Sequence, residues 1–227
     1  MKAAVIRFPG SNCDFDMYYA LQDFGVDADI VTKDQADFDD YDAIFLPGGF
    51  AYGDYLRTGA VARFSPAMKA VTQAADAGKL VVGVCNGFQI LTEAGLLPGQ
   101  LMRNAVDGKA PGFINDDVPL QVVNADTPFS SEYGAGATLT IPVAHGEGRY
   151  YADAETIANL YANHQVVFTY QENINGSVDN IAGITNKAGN VFGMMPHPER
   201  AVDELLGNTD GRAFFKGIVA NILAKVK

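Results

Sequence analysis

The sequence is poor in cysteine, histidine and positive charge, and it has no long apolar run. Two cysteines, Cys13 and Cys85, cannot build a disulfide framework in 227 residues, so the fold must stand on its core. A chain of this length buries roughly 70–75% of its unfolded surface, which is enough without covalent or metal staples. Sixteen Lys+Arg against 27 Asp+Glu leave a formal net charge of −11. That deficit argues against a nucleic-acid surface, an anionic-membrane anchor and a bare pocket for a polyanionic substrate. No stretch approaches the ~20 apolar residues that a membrane helix requires. Residues 2–6 (KAAVI) read as a strand and are too short for the apolar part of a secretory signal, so the expectation is a soluble, cytoplasmic protein. No Gly-x-x-x-x-Gly-Lys-[Ser/Thr] loop or basic cluster is available to cradle phosphates. No metal site is expected either.

What is present is a globular composition, 48% hydrophobic and 19% charged. The first half alternates short β-rich runs with helical spacing: strand at 3–8, helix at 14–24 stopped by Gly25, strands at 27–32 and 42–46. A helix entered through Ser65-Pro66 ends at Gly78, the apolar run 80–84 (LVVGV) reads as a strand buried on both faces, and 88–94 returns to helix. This is the pattern of a parallel sheet with helices on both faces. The acidic stretch Asp34, Asp37, Asp39, Asp40, Asp42 reads as a solvated connection. The second half is β-rich, with strand-like runs at 119–125, 138–144, 164–170, 181–185 and 191–195, a helix at 153–162 and a closing helix near 211–225. Repeats and linkers are absent, which points to one domain.

Cys85 is the most informative position. It stands where LVVGV meets a helix, with Gly83 and Gly87 on either side, as a nucleophile elbow requires. There the positive end of the helix and its free N–H groups favour a thiolate, and the Asn86 N–H points at any oxyanion beside the sulfur. A thiol nucleophile needs a base, and the histidines are His145, His164 and His197. Pro198 disfavours the α conformation at His197, and in an extended chain His197 and Glu199 face the same way, so the carboxylate can orient the imidazole. Pro47-Gly48-Gly49-Phe50 follows a parallel strand, at the sheet edge where open α/β folds bind ligands. His145-Gly146-Glu147-Gly148-Arg149 reads as an exposed polar hairpin tip, and Cys13 as a loop or first-turn cysteine without a base nearby in sequence.

Cys85, the 47–50 loop and the His-x-Glu together resemble the class I (triad) glutamine amidotransferases. Residues 3–14, 47–57, 83–99, 142–150 and 193–200 are similar to one branch, the glutaminase subunits of phosphoribosylformylglycinamidine (FGAM) synthases, and the likeness covers essentially the whole chain. The resemblance implies an α/β, flavodoxin-like fold: an open, mixed, mainly parallel sheet flanked by helices, with a β-rich second half, in a single domain over 1–227. It implies Cys85 as nucleophile, His197 as base and acid, and Glu199 as orienter. Gly48 or Gly49 and Asn86 would supply the oxyanion hole, and Gln89 would line the glutamine pocket. His145, Glu147 and Arg149 would lie near the substrate or a partner. L-Glutamine would be the substrate, with no cofactor on this chain. ATP and Mg would belong to a synthetase subunit, joined by a small accessory subunit in a heteromeric complex. Two other readings stay open on the residues themselves: a stand-alone cysteine hydrolase of the deglycase kind, and a non-catalytic flavodoxin-like binding module.

Overall fold

The computed structural model describes residues 1–225. In chain order it contains β1 (Lys2–Arg7), α1 (Asp14–Asp23), β2 (Asp27–Thr32), β3 (Ala43–Leu46), α2 (Pro66–Asp76), β4 (Leu80–Val84) and α3 (Asn86–Glu93). The second half contains β5 (Gln100–Met102), β6 (Ile114–Val122), β7 (Thr138–His145), β8 (Arg149–Tyr151), α4 (Ala154–Ala162), β9 (Val166–Tyr170), β10 (Ile181–Thr185), β11 (Val191–Met194) and α5 (Arg212–Lys225). Local chemistry sets several boundaries. Ser65 Oγ accepts from the Met68 N–H at 3.2 Å with Pro66 in the first turn of α2, and Asp153 caps α4 through the Thr156 N–H at 2.7 Å.

Nine strands form one sheet in the order β2-β1-β3-β4-β11-β10-β9-β6-β7. The neighbours from β2 to β11 run parallel, and every pairing from β11 to β7 is antiparallel. All residues of β3, β4 and β11 are buried, as their uninterrupted apolar runs require. On β11, Phe192 meets Phe214 of α5 at 5.5 Å between ring centres and Phe129 at 4.6 Å. Adjacent Gly193 faces the other way and makes room for the ring of Phe88 from α3. Helices α5 and α3 therefore cover opposite faces of the sheet.

Four expectations need correction. Strand β6 covers 114–122 rather than 119–125, because its first residues are exposed and polar and are held by pairing with β7, not by an apolar pattern. Strands β5 and β8, three residues each, pair only with each other and are too short to show a period. Helix α3 starts at Asn86, directly after the elbow, rather than at 88. His145 is buried rather than at an exposed tip. The acidic stretch from Asp34 to Asp42 is exposed, as expected. Among the described residues no helix is long and apolar enough to cross a membrane.

Candidate active site

Because β1, β3, β4 and β11 are adjacent and parallel, the segments leaving their C-terminal ends meet at one edge of the sheet. These segments carry Cys13, Gly48-Gly49, Cys85 and His197-Pro198-Glu199, residues scattered through the chain. Cys85 is the turn between β4 and α3, with φ 51° and ψ −108°, a conformation that costs a non-glycine residue free energy. Packing holds it there. The Cys85 N–H donates to the Met194 carbonyl at 2.8 Å, and α3 lies so close to β3 that a Cβ on Gly87 would collide with the Leu46 carbonyl oxygen. The sulfur lies 3.8 Å from the Ala144 carbonyl, where the end of β7 folds over the elbow.

His197 and Glu199 are both almost fully buried, and Nδ1 lies 2.7 Å from Glu199 Oε1. The route to this pair differs from the one expected. His197 is non-helical (φ −106°, ψ 85°), but Pro198–Arg200 forms a 3-10 turn, so a turn rather than an extended chain delivers the carboxylate. Burial pulls the His197 pKa down, but Glu199 and the Cys85 sulfur outweigh it and hold the pKa well above the ordinary histidine value. With Nδ1 committed to Glu199, Nε2 remains without an aligned partner, close enough to the sulfurs of Cys85 and Cys13 to feel both. That is the arrangement of an imidazole that can shuttle a proton at Nε2.

Gly48 sits inside this group: a Cβ there would lie 2.7 Å from His197 Cε1, 3.0 Å from Cys13 Sγ and 3.4 Å from Cys85 Cβ. Gly49 (φ 144°) lets its loop cross residues 10–12, with the Phe50 N–H donating to the Gly10 carbonyl at 2.9 Å. The Gly49 and Asn86 N–H groups donate to no protein acceptor and remain available beside the sulfur. The Asn86 side chain ties the two donor segments together. Its Oδ1 accepts from the Ala51 N–H at 3.0 Å, and its Nδ2 donates to Gln89 Oε1 at 2.9 Å. Gln89 Nε2 in turn donates to the Glu147 carbonyl at 2.7 Å.

Two small cavities open on either side of Cys85. One, of about 160 Å³, reaches Cys13, His197 and Arg200. The other, of about 210 Å³, reaches Asp54, Gln89, His145 and Glu147. The largest surface cavity, about 550 Å³, lies behind Glu199 and touches neither Cys85 nor His197. The structure thus brings Cys85, His197, Glu199, Gly48, Gly49, Asn86, Gln89, His145 and Glu147 to one place. Arg149 lines neither cavity at Cys85; it points along β8 towards Met102. His145 is buried because Asn104 grips it, with Asn104 Nδ2 3.0 Å from the His145 carbonyl and 3.3 Å from Nδ1.

Sequence reading missed Cys13, Arg200 and Asp54. Cys13 has no base nearby in sequence but has one in space, because β1 delivers it to the same sheet edge as His197. Burial pushes its thiol up, against the pull of His197, and Arg200 Nη2 donates to its sulfur at 3.0 Å. The parallel-strand rule applied to the loop after β1 would have found it. Cys13, His197 and Glu199 offer metal-ligand atoms within 4.8 Å of one another. The Arg200 guanidinium on that sulfur and the His197–Glu199 hydrogen bond already occupy the donors a cation would need.

Residues 1–213 match the CobB/CobQ-like glutamine amidotransferase domain family. The chain is 57% identical over 220 residues to phosphoribosylformylglycinamidine synthase subunit PurQ of Lacticaseibacillus casei, covering 96% of this chain and 95% of that protein. The PurQ subunit of Lacticaseibacillus paracasei matches to the same extent. Among solved structures, PurLQS from Thermotoga maritima superposes with a TM-score of 0.89 at 46% identity, covering 97% of this chain and 98% of that one. A glutamine amidotransferase from Thermotoga maritima shares the fold at a TM-score of 0.63 and 15% identity, covering 99% of this chain and 97% of its own.

Proposed function

The chain belongs to the CobB/CobQ-like glutamine amidotransferase family, and from that membership we infer that it is the glutaminase subunit of a phosphoribosylformylglycinamidine synthase. It hydrolyses L-glutamine to glutamate and ammonia and delivers the ammonia to a synthetase subunit for purine biosynthesis. In this reading residues 1–227 are one amidotransferase domain working in the cytoplasm. The chain needs no cofactor of its own, and ATP and Mg act on the synthetase subunit, with a small accessory subunit completing the complex. The net charge of −11 suits this division of labour, in which the subunit handles a zwitterion and a neutral product while anionic substrates bind elsewhere.

The observation that carries the mechanism is the buried His197–Glu199 pair, 2.7 Å apart, facing the sulfur of an elbow cysteine. Glu199 keeps the Nδ1 proton in place and stabilises the imidazolium, so Nε2 is the atom that exchanges a proton with Cys85. The Cys85 thiolate attacks the carboxamide carbon of glutamine. The negative charge that collects on its oxygen is met by the N–H groups of Gly49, or Gly48, and Asn86. His197 gives its proton to the departing nitrogen, ammonia leaves, and a γ-glutamyl thioester remains on Cys85. His197 then takes a proton from water, which attacks the thioester, releases glutamate and restores the thiol.

The test is ammonia release from glutamine by the subunit alone and with its synthetase partner. Activity that rises on assembly, disappears in Cys85→Ala and is titrated away by a diazo-ketone analogue of glutamine supports the reading. Glutamine hydrolysis that survives Cys85→Ala would overturn it.

A further inference from the structure

The cavity of about 210 Å³ beside Cys85 contains two polar atoms that thioester chemistry does not use and that nothing in the protein satisfies. One is Asp54 Oδ1, buried and without a hydrogen-bond partner. The other is Nε2 of His145, on a side chain more than nine-tenths buried. The tautomer of His145 follows from its neighbour. Asn104 Oδ1 accepts from the Gly148 N–H at 3.0 Å, and its Nδ2 donates to the Gly112 and His145 carbonyls at 3.0 Å each. That fixes the amide orientation and turns its N–H₂ towards Nδ1. Nδ1 is then the acceptor, and Nε2 carries the hydrogen. Burial holds the ring neutral, with a pKa lowered to about 4. The cavity therefore presents an unused anionic acceptor and an unused neutral donor.

The other groups in the cavity wall are already engaged. Gln89 is held at both ends of its amide, and Glu147 accepts from Thr58 Oγ1 at 3.0 Å and pairs with exposed Arg103 at 3.3 Å. Burial, reinforced by Glu147, raises the Asp54 pKa to about 6, so the site lacks a positive charge. A ligand that brings an ammonium for Asp54 and a carboxylate for His145 would satisfy both orphaned atoms.

We propose that this cavity reads the amino-acid end of the substrate: Asp54, backed by Glu147, receives the α-ammonium, and His145 Nε2–H donates to the α-carboxylate. The assignment rests on the glutaminase reading and deepens it, since it says how a free α-amino acid is told from a plain amide. Asp54 and His145 are binding residues on this view and take no part in the proton transfers at Cys85.

The experiment compares wild type with Asp54→Asn, each assembled with the synthetase partner. Ammonia release is measured from L-glutamine and from glutaramate, the same molecule without its α-amino group. A charge-assisted hydrogen bond in a desolvated site predicts a loss of about 10- to 100-fold in kcat/KM for glutamine, mainly through KM. Glutaramate hydrolysis should stay within about three-fold of wild type, so that the preference for glutamine collapses. His145→Gln should instead erode discrimination against γ-aminobutyramide, which lacks the α-carboxylate. Alkylation of Cys85 by iodoacetamide, which needs no amino-acid end, should proceed at the wild-type rate in both variants. Equal losses on glutamine and glutaramate, or no loss on either, would overturn the assignment and leave the glutaminase reading standing. A wild-type complex that releases no ammonia from glutamine would overturn both.

Discussion

The parallel half of the sheet, β2-β1-β3-β4-β11, and the antiparallel half, β10-β9-β6-β7, contribute to the site in different ways. Each of the parallel strands β1, β3, β4 and β11 ends at the same edge, and each hands over one chemical part: Cys13, the glycine donors, Cys85 and the His197–Glu199 pair. The antiparallel half supplies walls. The β6–β7 hairpin folds back so that Ala144 covers the sulfur, and His145 and Glu147 close the cavity beside it. Parallel topology concentrates reactive groups because every strand end points the same way. Antiparallel topology returns the chain over the site and shapes what enters.

This contrast predicts where damage should fall. Removing the nucleophile from the parallel half, Cys85→Ala, should abolish ammonia release, a loss of roughly 10⁶-fold in kcat for a nucleophile of this kind. Circular dichroism of the variant should stay native. Glu199→Gln keeps the shape but removes the charge that orients His197, and kcat should drop by roughly 10³- to 10⁴-fold with KM little changed. A KM rise equal to the kcat loss would instead place Glu199 in substrate binding.

At the seam between the halves, Phe192 stacks on Phe129 and meets Phe168 and Phe214. Phe192→Ala should cost about 3–5 kcal/mol in denaturant unfolding, since neighbours from both halves cannot collapse into the void. A cost under about 1 kcal/mol would mean that the halves are not packed as one core.

The smallest expected effect belongs to the antiparallel wall. His145 has a folded pKa of about 4 against 6.5 for a free side chain. Between those values the unfolded chain binds the proton and the folded chain does not, so stability is lost as pH falls from 6.5 to about 4. In His145→Gln this loss should disappear, a difference of at most about 3 kcal/mol between the two chains at the acid end. Asp54, raised to about 6, titrates in the opposite sense but is common to both chains and cancels in the difference. Parallel acid curves for the two chains would show that His145 is not held neutral by burial.

Much of the parallel half was legible in the sequence. The apolar run Leu80–Val84 with Gly83 and Gly87 marks a buried strand entering a tight turn, and that signal is local. Helices at 66–76 and 154–162 announce themselves through Ser65 and Asp153, which cap the next turn. The His-x-Glu pair was also legible, although the turn at Pro198 and not an extended chain brings it together. Harder to read was the wall: strands β5 and β8 are three residues each, and the exposed start of β6 is defined by its partner on β7 rather than by any apolar period.

The sequence by itself determined the strand–cysteine–helix turn, the carboxylate two residues from its histidine and the glycines that let backbone approach backbone. All of these depend on neighbours a few residues apart, where conformational preference and spacing decide. Only the tertiary structure decided that Cys13 shares a site with His197, that His145 is a buried neutral donor and that Asp54 is left without a partner. Burial and the absence of a partner are properties of everything packed around a group. For these side chains the surroundings come from strands far away in the chain, joined only when the sheet forms.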